Sequence, residues 1–513
     1  MSDTSDRPRT DPGGPVFDPE VLDKTVIAIP LLNMLDEAEK KQRDADQVPE
    51  PIPVMLDLNL QFHGGRVAAR ERAKDLVQKA IDRKGRSKDQ RIDLEKSERS
   101  QQYLYGRLEA EVIRELVRLD NEREPELQED RVGSRFGHRS IYHIWPDFQV
   151  HRLTTKSIST VKADAARTSF SAFGQGIVWA VLDSGIDKDH PHFAKHQNLV
   201  LDGSLGHEDF TGKDDPLADP FGHGTHVAGI IAGEAISTEE HPIRAVARHR
   251  DERGEITYDT LAIPQISGMA PQCKLLSMRV LDDSGRGEAS NLIAAIERIQ
   301  EINGYGRRLL VHGVNLSVGY DFEPEWFACG QSPLCVEVER LVHSGVVVVV
   351  AAGNTGYGYG QTLARGAVAA GLPMTINDPG NAELAITVGS THRDMPHVYG
   401  VSYFSSKGPT GDGRLKPDLL APGEKILSCA AGRKLEDAKK KADDCDYAED
   451  SGTSMAAPHV SGVIAAFLSI RREFIGRPER VKEIFLSTAT DLNREVAFQG
   501  RGVVDLMRAI QSV

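Results

Sequence analysis

Cysteine is scarce in this sequence. There are five among 513 residues, Cys273, Cys329, Cys335, Cys429 and Cys445. The odd count, with no CxxC pair and no Cys/His grouping at ligand spacing, excludes a disulfide scaffold and a zinc module. Reduced thiols are expected, with Cys429 and Cys445 the pair placed to bridge across a charged insertion in an oxidising space. Cationic excess is also missing: 62 Lys and Arg stand against 76 Asp and Glu, a net charge of −14. Such a chain is poorly suited to grasping nucleic acid phosphates, so no nucleic acid partner is expected. Long apolar runs are absent too. The longest, Val346 to Ala352, falls far short of the roughly 18 residues that a membrane span needs, so no membrane partner is expected. The start, Met-Ser-Asp-Thr-Ser-Asp-Arg-Pro, lacks the basic opening and apolar core of a secretory signal, and a cytoplasmic location is expected.

What is present changes along the chain. Of the first 150 residues 55 are charged, against 83 of the remaining 363, which marks a boundary near residue 150. Residues 1–50 read as a loosely ordered leader, with Val26 to Leu35 able to dock. In residues 51–152, Val54, Leu56, Leu58, Leu60 and Phe62 alternate as in a half-buried strand that Gly64-Gly65 breaks. A helical face follows over 66–81. Residues 82–103 read as a charged linker, and Leu104, Leu108, Val112 and Leu116 as the stripe of a helix over 104–118. Ile141 to Val150 reads as extended. The sum is a small α+β domain.

Beyond it, Ile177 to Leu182 has the pattern of a buried strand. Leu292, Ile296 and Ile299 share one helical face that Asn303-Gly304 would end, and Leu309 to Val318 reads as the next strand. Leu334, Val338, Leu341 and Val342 share another helical face, stopped by Gly345. The unalternating β-branched run Val346 to Val350 suits a parallel strand covered on both sides. Strands alternating with helices predict an open α/β sheet, with its site at the carboxyl ends of the strands. Asp183 and Asn354 each fall just past a strand.

Three segments carry chemistry: Val181-Leu182-Asp183-Ser184-Gly185, Gly222-His223-Gly224-Thr225-His226, and Gly452-Thr453-Ser454-Met455-Ala456-Ala457-Pro458. Taken singly they read as a turn residue, a weak metal pair without HExxH, and a helix cap. Together, in the order Asp…His…Ser, they resemble the subtilase family of serine peptidases, from about residue 153 to 513. The resemblance implies a subtilisin-like parallel-sheet catalytic domain with helices on both faces, and a serine endopeptidase. It assigns Asp183, His223 and Ser454 to a triad and Asn354, in Ala351-Ala352-Gly353-Asn354, to the oxyanion hole. It gives Ser317, Val318, Gly319, Ala351, Ala352 and Gly353 to the substrate cleft, where an extended protein or peptide substrate would pair by main-chain hydrogen bonds. The chemistry agrees: a serine hydroxyl needs a base, an imidazole titrates near neutrality, and a carboxylate fixes its tautomer. A non-catalytic scaffold on the same fold is the other function class, which the complete set of four groups disfavours.

Three stretches depart from a compact member of that family: residues 234–266, with the charged run Arg244 to Glu255; 355–375; and 433–450. They would border the cleft. No cofactor or metal is required. The acidic run Glu208 to Asp219 is a candidate for structural calcium, but it lacks EF-hand spacing and reads better as a solvated loop. Residues 51–152 resemble the propeptides of subtilases, which implies a cleft inhibitor and self-cleavage between Val150 and Lys156. The alternative is a permanent adaptor.

Overall fold

The computed structural model describes residues 26–28, 31, 32, 34–36, 38, 50–98, 100–122, 138–147, 156–213, 215–250, 256–322, 328–362, 366–441 and 445–513. The expected cleavage window, 150–156, lies outside the described residues except for Lys156. The chain forms two units, Met1–Val150 and His151–Val513.

The first unit runs β1 (Ile52–Leu58), α1 (Gly65–Lys84), β2 (Arg91–Ile92), α2 (Leu94–Glu98), β3 (Tyr103–Leu108), α3 (Ala110–Asn121) and β4 (Ile141–Pro146). Its sheet has the order β2-β3-β1-β4 with antiparallel pairing. Two expectations are corrected. Leu104 and Leu108 lie on a strand, because a spacing of four satisfies the strand period as well as the helix period; the helix starts at Ala110. The linker holds a strand and a short helix. Leu104 and Leu108 are buried with Leu56 and Leu116 in one core, which also takes in Val26, Ile27, Leu31 and Leu35 from the expected leader.

The second unit is built on seven strands: β5 (Val178–Asp183), β6 (Glu208–Asp209), β9 (Lys274–Arg279), β10 (Gly313–Leu316), β11 (Val347–Ala351), β14 (Ile386–His392) and β15 (Leu419–Glu424). All pair in parallel, in the order β15-β14-β11-β10-β5-β9-β6. The valine run explains itself here: Val347 and Val349 enter one core, Val346, Val348 and Val350 the other. Helices α5 (Ala289–Ile302) and α6 (Pro333–His343) bury their faces in the second of these cores. The first is filled by α4 (His223–Ile231) and α8 (Thr453–Ile470). Helix α8 is apolar all round because it is buried over most of its length. The three departures become a hairpin, β7 (Ile243–Arg250) with β8 (Ile256–Ile263); a second hairpin, β12 (Tyr357–Thr362) with β13 (Gly366–Gly371); and α7 (Gly432–Lys439) with β17 (Tyr447–Asp450). Strand β16 (Ile426–Cys429) joins β17, which pairs with β7. All five cysteines are free thiols.

Candidate active site

Asp183 ends β5 and is fully buried. One carboxylate oxygen, Oδ1, accepts the Ser184 backbone N–H at 2.8 Å and His223 Nδ1–H at 2.8 Å. His223 opens α4, so the sheet edge and the helix start bring the pair together. Burial disfavours a charged imidazole, but the charge and hydrogen bond of Asp183 outweigh it and hold the His223 pKa above its ordinary 6.5. His223 is therefore a stronger base than a free imidazole.

Sequence reading missed the residue that fastens this pair. Asp219, taken as part of a solvated acidic run, is buried. Its carboxylate accepts the Gly222 and Thr225 N–H groups at 2.7 and 2.8 Å and the Thr225 and Ser184 hydroxyls, both at 2.7 Å. The Ser184 hydroxyl in turn accepts the Gly224 N–H at 2.9 Å. One carboxylate thus ties the loop after Asp183 to the first turn of the histidine helix. The signal was its place four residues before His223, at a helix start where carboxylates satisfy orphan N–H groups. The same run is otherwise engaged at Glu208, which pairs with Arg298, and at Asp209, which accepts from Thr211.

Ser454 lies in the first turn of α8. Its hydroxyl donates to the Ser317 carbonyl at 2.9 Å, and no hydrogen bond joins it to His223. Both side chains line the same cleft of about 680 Å³. A single χ1 rotation separates the parked hydroxyl from other staggered positions, and hydrogen bonds in substrate-free sites are often long or misaligned. A second bond runs the other way: the Ser317 hydroxyl donates to the Ser454 carbonyl at 2.9 Å. Pro458 is the reason that carbonyl needs a donor. Four residues on, it has no N–H to close the helical bond. Asn315 Nδ2 donates to the Ser317 hydroxyl at 2.9 Å, and the Ser461 hydroxyl donates to Asn315 Oδ1 at 2.8 Å. Asn315 and Ser461 are fully buried; both lie in segments that resemble the family's, but their side chains had no expected role.

Asn354 stands three residues past β11 and is exposed to the cleft. Its carbonyl oxygen accepts the Thr453 N–H at 2.9 Å and the Thr453 hydroxyl at 3.0 Å. That fixes the amide plane and leaves Nδ2 as the free donor beside Ser454. Ser317, Val318, Gly319, Ala351 and Gly353 also line the cleft. Ala352 does not: it is fully buried, its N–H bonded to Val388 and its carbonyl to the Asn377 N–H. Gly353 has φ +108°, a conformation that favours glycine, and a Cβ there would crowd Asn377 Oδ1 at 2.4 Å.

A buried carboxylate on an imidazole, a hydroxyl at a helix start and a fixed amide, gathered at the carboxyl edge of a parallel sheet, are the parts of a serine hydrolase. Residues 174–503 match the subtilase family, Peptidase S8. The serine protease AprX of Bacillus subtilis is 29% identical over 349 residues, 66% of each chain. The major intracellular serine protease of the same organism is 31% identical over 61% of this chain and 74% of its own. Subtilisin E, also from that species, is 28% identical over 72% of this chain and 76% of its own. The chain belongs to the subtilase family and is a subtilisin-like serine peptidase.

Proposed function

We propose that this protein hydrolyses peptide bonds as an endopeptidase through an acyl-enzyme on Ser454. The observation that supports this most is the buried Asp183–His223 bond at 2.8 Å in the same cleft as Ser454 and the Asn354 amide. An extended peptide lies along Ser317 to Gly319, and a substrate N–H takes the Ser317 carbonyl. The Ser454 hydroxyl then loses its parking partner and turns to His223. His223 takes its proton as oxygen attacks the scissile carbonyl, and Asp183 stabilises the imidazolium. The oxyanion forms between Asn354 Nδ2 and the Ser454 N–H, at the positive end of α8. His223 protonates the leaving amine, which departs, and then draws a proton from the water that releases the acid. No cofactor enters these steps.

We assign residues 51–152 the role of intramolecular chaperone and inhibitor, on the likeness to propeptides and on a core of their own. The decisive experiment uses a fluorophosphonate probe with mass spectrometry on wild type and Ser454→Ala. Wild type should gain one adduct on Ser454 and cleave a denatured protein. Ser454→Ala should do neither, and activity near wild type in that variant would remove Ser454 from its role.

A further inference from the structure

A second cavity, of about 430 Å³, adjoins the cleft. The two share Phe221 and the His223 imidazole, which stand between them as a common wall. The remaining walls come from two of the three departures: Val246 on β7, Tyr258 on β8, Lys434 and Ala438 on α7, and Ala448 to Asp450 on β17. These walls are fixed. Strand β17 pairs with β7 through Tyr447–Ala245 and Ala448–Val246. The Arg433 N–H donates to the Pro220 carbonyl at 2.9 Å. A Cβ on Gly222 would meet the Ala431 carbonyl at 2.1 Å, so the start of α7 lies directly on the loop that delivers His223.

The charges facing this space are unequal in their commitments. Three carboxylates line it, and each has a cation: Asp450 pairs with Lys434, Glu449 with Arg393, and Asp437 with Lys440. Two further lining cations, Arg433 and Lys441, enter no ion pair among the described residues. The Lys441 ammonium sits 4.0 Å from the centre of the Tyr258 ring. An entering carboxylate therefore meets two cations that stand outside any ion pair among the described residues, Lys441 resting on the Tyr258 ring, while an entering ammonium finds every lining carboxylate already paired.

We propose that this cavity is a specificity subsite for an acidic side chain of the substrate, with Arg433 and Lys441 as its determinants. The proposal rests on the peptidase reading above. A peptide crossing the cleft beside His223 places one side chain against the shared wall, and that side chain is the one selected. Attraction of Asp or Glu and rejection of Lys or Arg act at the same position, which gives selectivity from both signs.

The test is a set of internally quenched peptides with Asp, Ala or Lys walked through three positions on either side of the cleaved bond. In wild type, kcat/KM at one position should follow Asp over Ala over Lys, with Asp exceeding Ala by roughly five- to tenfold at low salt. Raising the salt to about 0.5 M should compress that ratio, because the cations are exposed. The paired variant Arg433→Glu/Lys441→Glu should invert the order at that position alone. Lys441→Gln, a milder change, should reduce the ratio without inverting it. Equal rates for the three residues at every position, or an order that survives charge reversal, would overturn the proposal. Failure of the peptidase reading looks different: no peptide is cut and the probe leaves Ser454 unlabelled.

Discussion

Asp183 acts on His223 through both its charge and its hydrogen bond, and the two have a common signature in pH. On the proposed mechanism His223 is the base and must be neutral to accept the serine proton, so kcat/KM should rise as it deprotonates. Its raised pKa places the midpoint of that limb above 6.5. Asp183→Asn keeps the volume and removes the charge. Burial and the Lys434 charge then act on His223 against the Asp450 charge alone, so the midpoint should move down, and the plateau should fall by about 10³–10⁴ as the tautomer is lost. Profiles of kcat/KM against pH on one peptide check both, and an unmoved midpoint would deny Asp183 its influence. The sign for stability is the reverse. A histidine raised in the folded state stabilises the fold below its ordinary value, and that contribution is lost as pH rises through the folded-state value. On the mechanism proposed above, Asn354 acts later, on the oxyanion alone. Asn354→Ala should lower kcat by about 10²–10³ with little change in KM, a magnitude that comes from subtilisin itself. Single-turnover rates against steady-state KM separate the two effects.

The strand and helix that meet at Ser454 are coupled by a bond that Pro458 makes necessary. The Ser317 hydroxyl supplies the donor that the helix lacks at the Ser454 carbonyl. Ser317→Ala should therefore cost about 1–2 kcal/mol by leaving unmet that carbonyl and the Asn315 amide, which donates to the same hydroxyl. In a Pro458→Ala background the helix regains the N–H, and the cost of Ser317→Ala should shrink by about 1 kcal/mol. A double-mutant cycle by urea denaturation measures this coupling, and strict additivity would mean that the two donors do not substitute for each other. None of this is readable from the motif, in which Pro458 looks merely tolerated and Ser317 looks like main chain with a small side chain. The regular elements were legible where burial forces a unique pattern, as in Val346 to Val350. They were misread where Leu104 and Leu108, four apart, fit two periods at once. The acids failed for a similar reason: sequence shows the charge of Asp219 but not the four donors that fold around it.

The chain joins a sheet of long-range parallel pairings to a small unit with an antiparallel sheet and a core of its own. In the larger unit β5 pairs with β10, whose residues lie some 130 positions later, so closing the sheet demands loop entropy before contacts repay it. On the reading proposed above, the first unit assists that step and is also a substrate tethered to the peptidase at high effective concentration. Purified wild type should therefore acquire a new N-terminus between Val150 and Lys156, while Ser454→Ala stays whole. If the cut is intramolecular its rate should not change with dilution, and wild type added in trace amounts should process Ser454→Ala far more slowly. The expected partner result is that residues 151–513 expressed alone fail to gain activity until residues 1–150 are supplied in trans. A wild type that labels at Ser454 yet stays full-length, or a 151–513 fragment that folds alone with altered substrate choice, would make the first unit a permanent adaptor. The distinction is physical as well as biological: a propeptide's stabilising contacts must be given up after cleavage, whereas an adaptor's persist as long as the enzyme does.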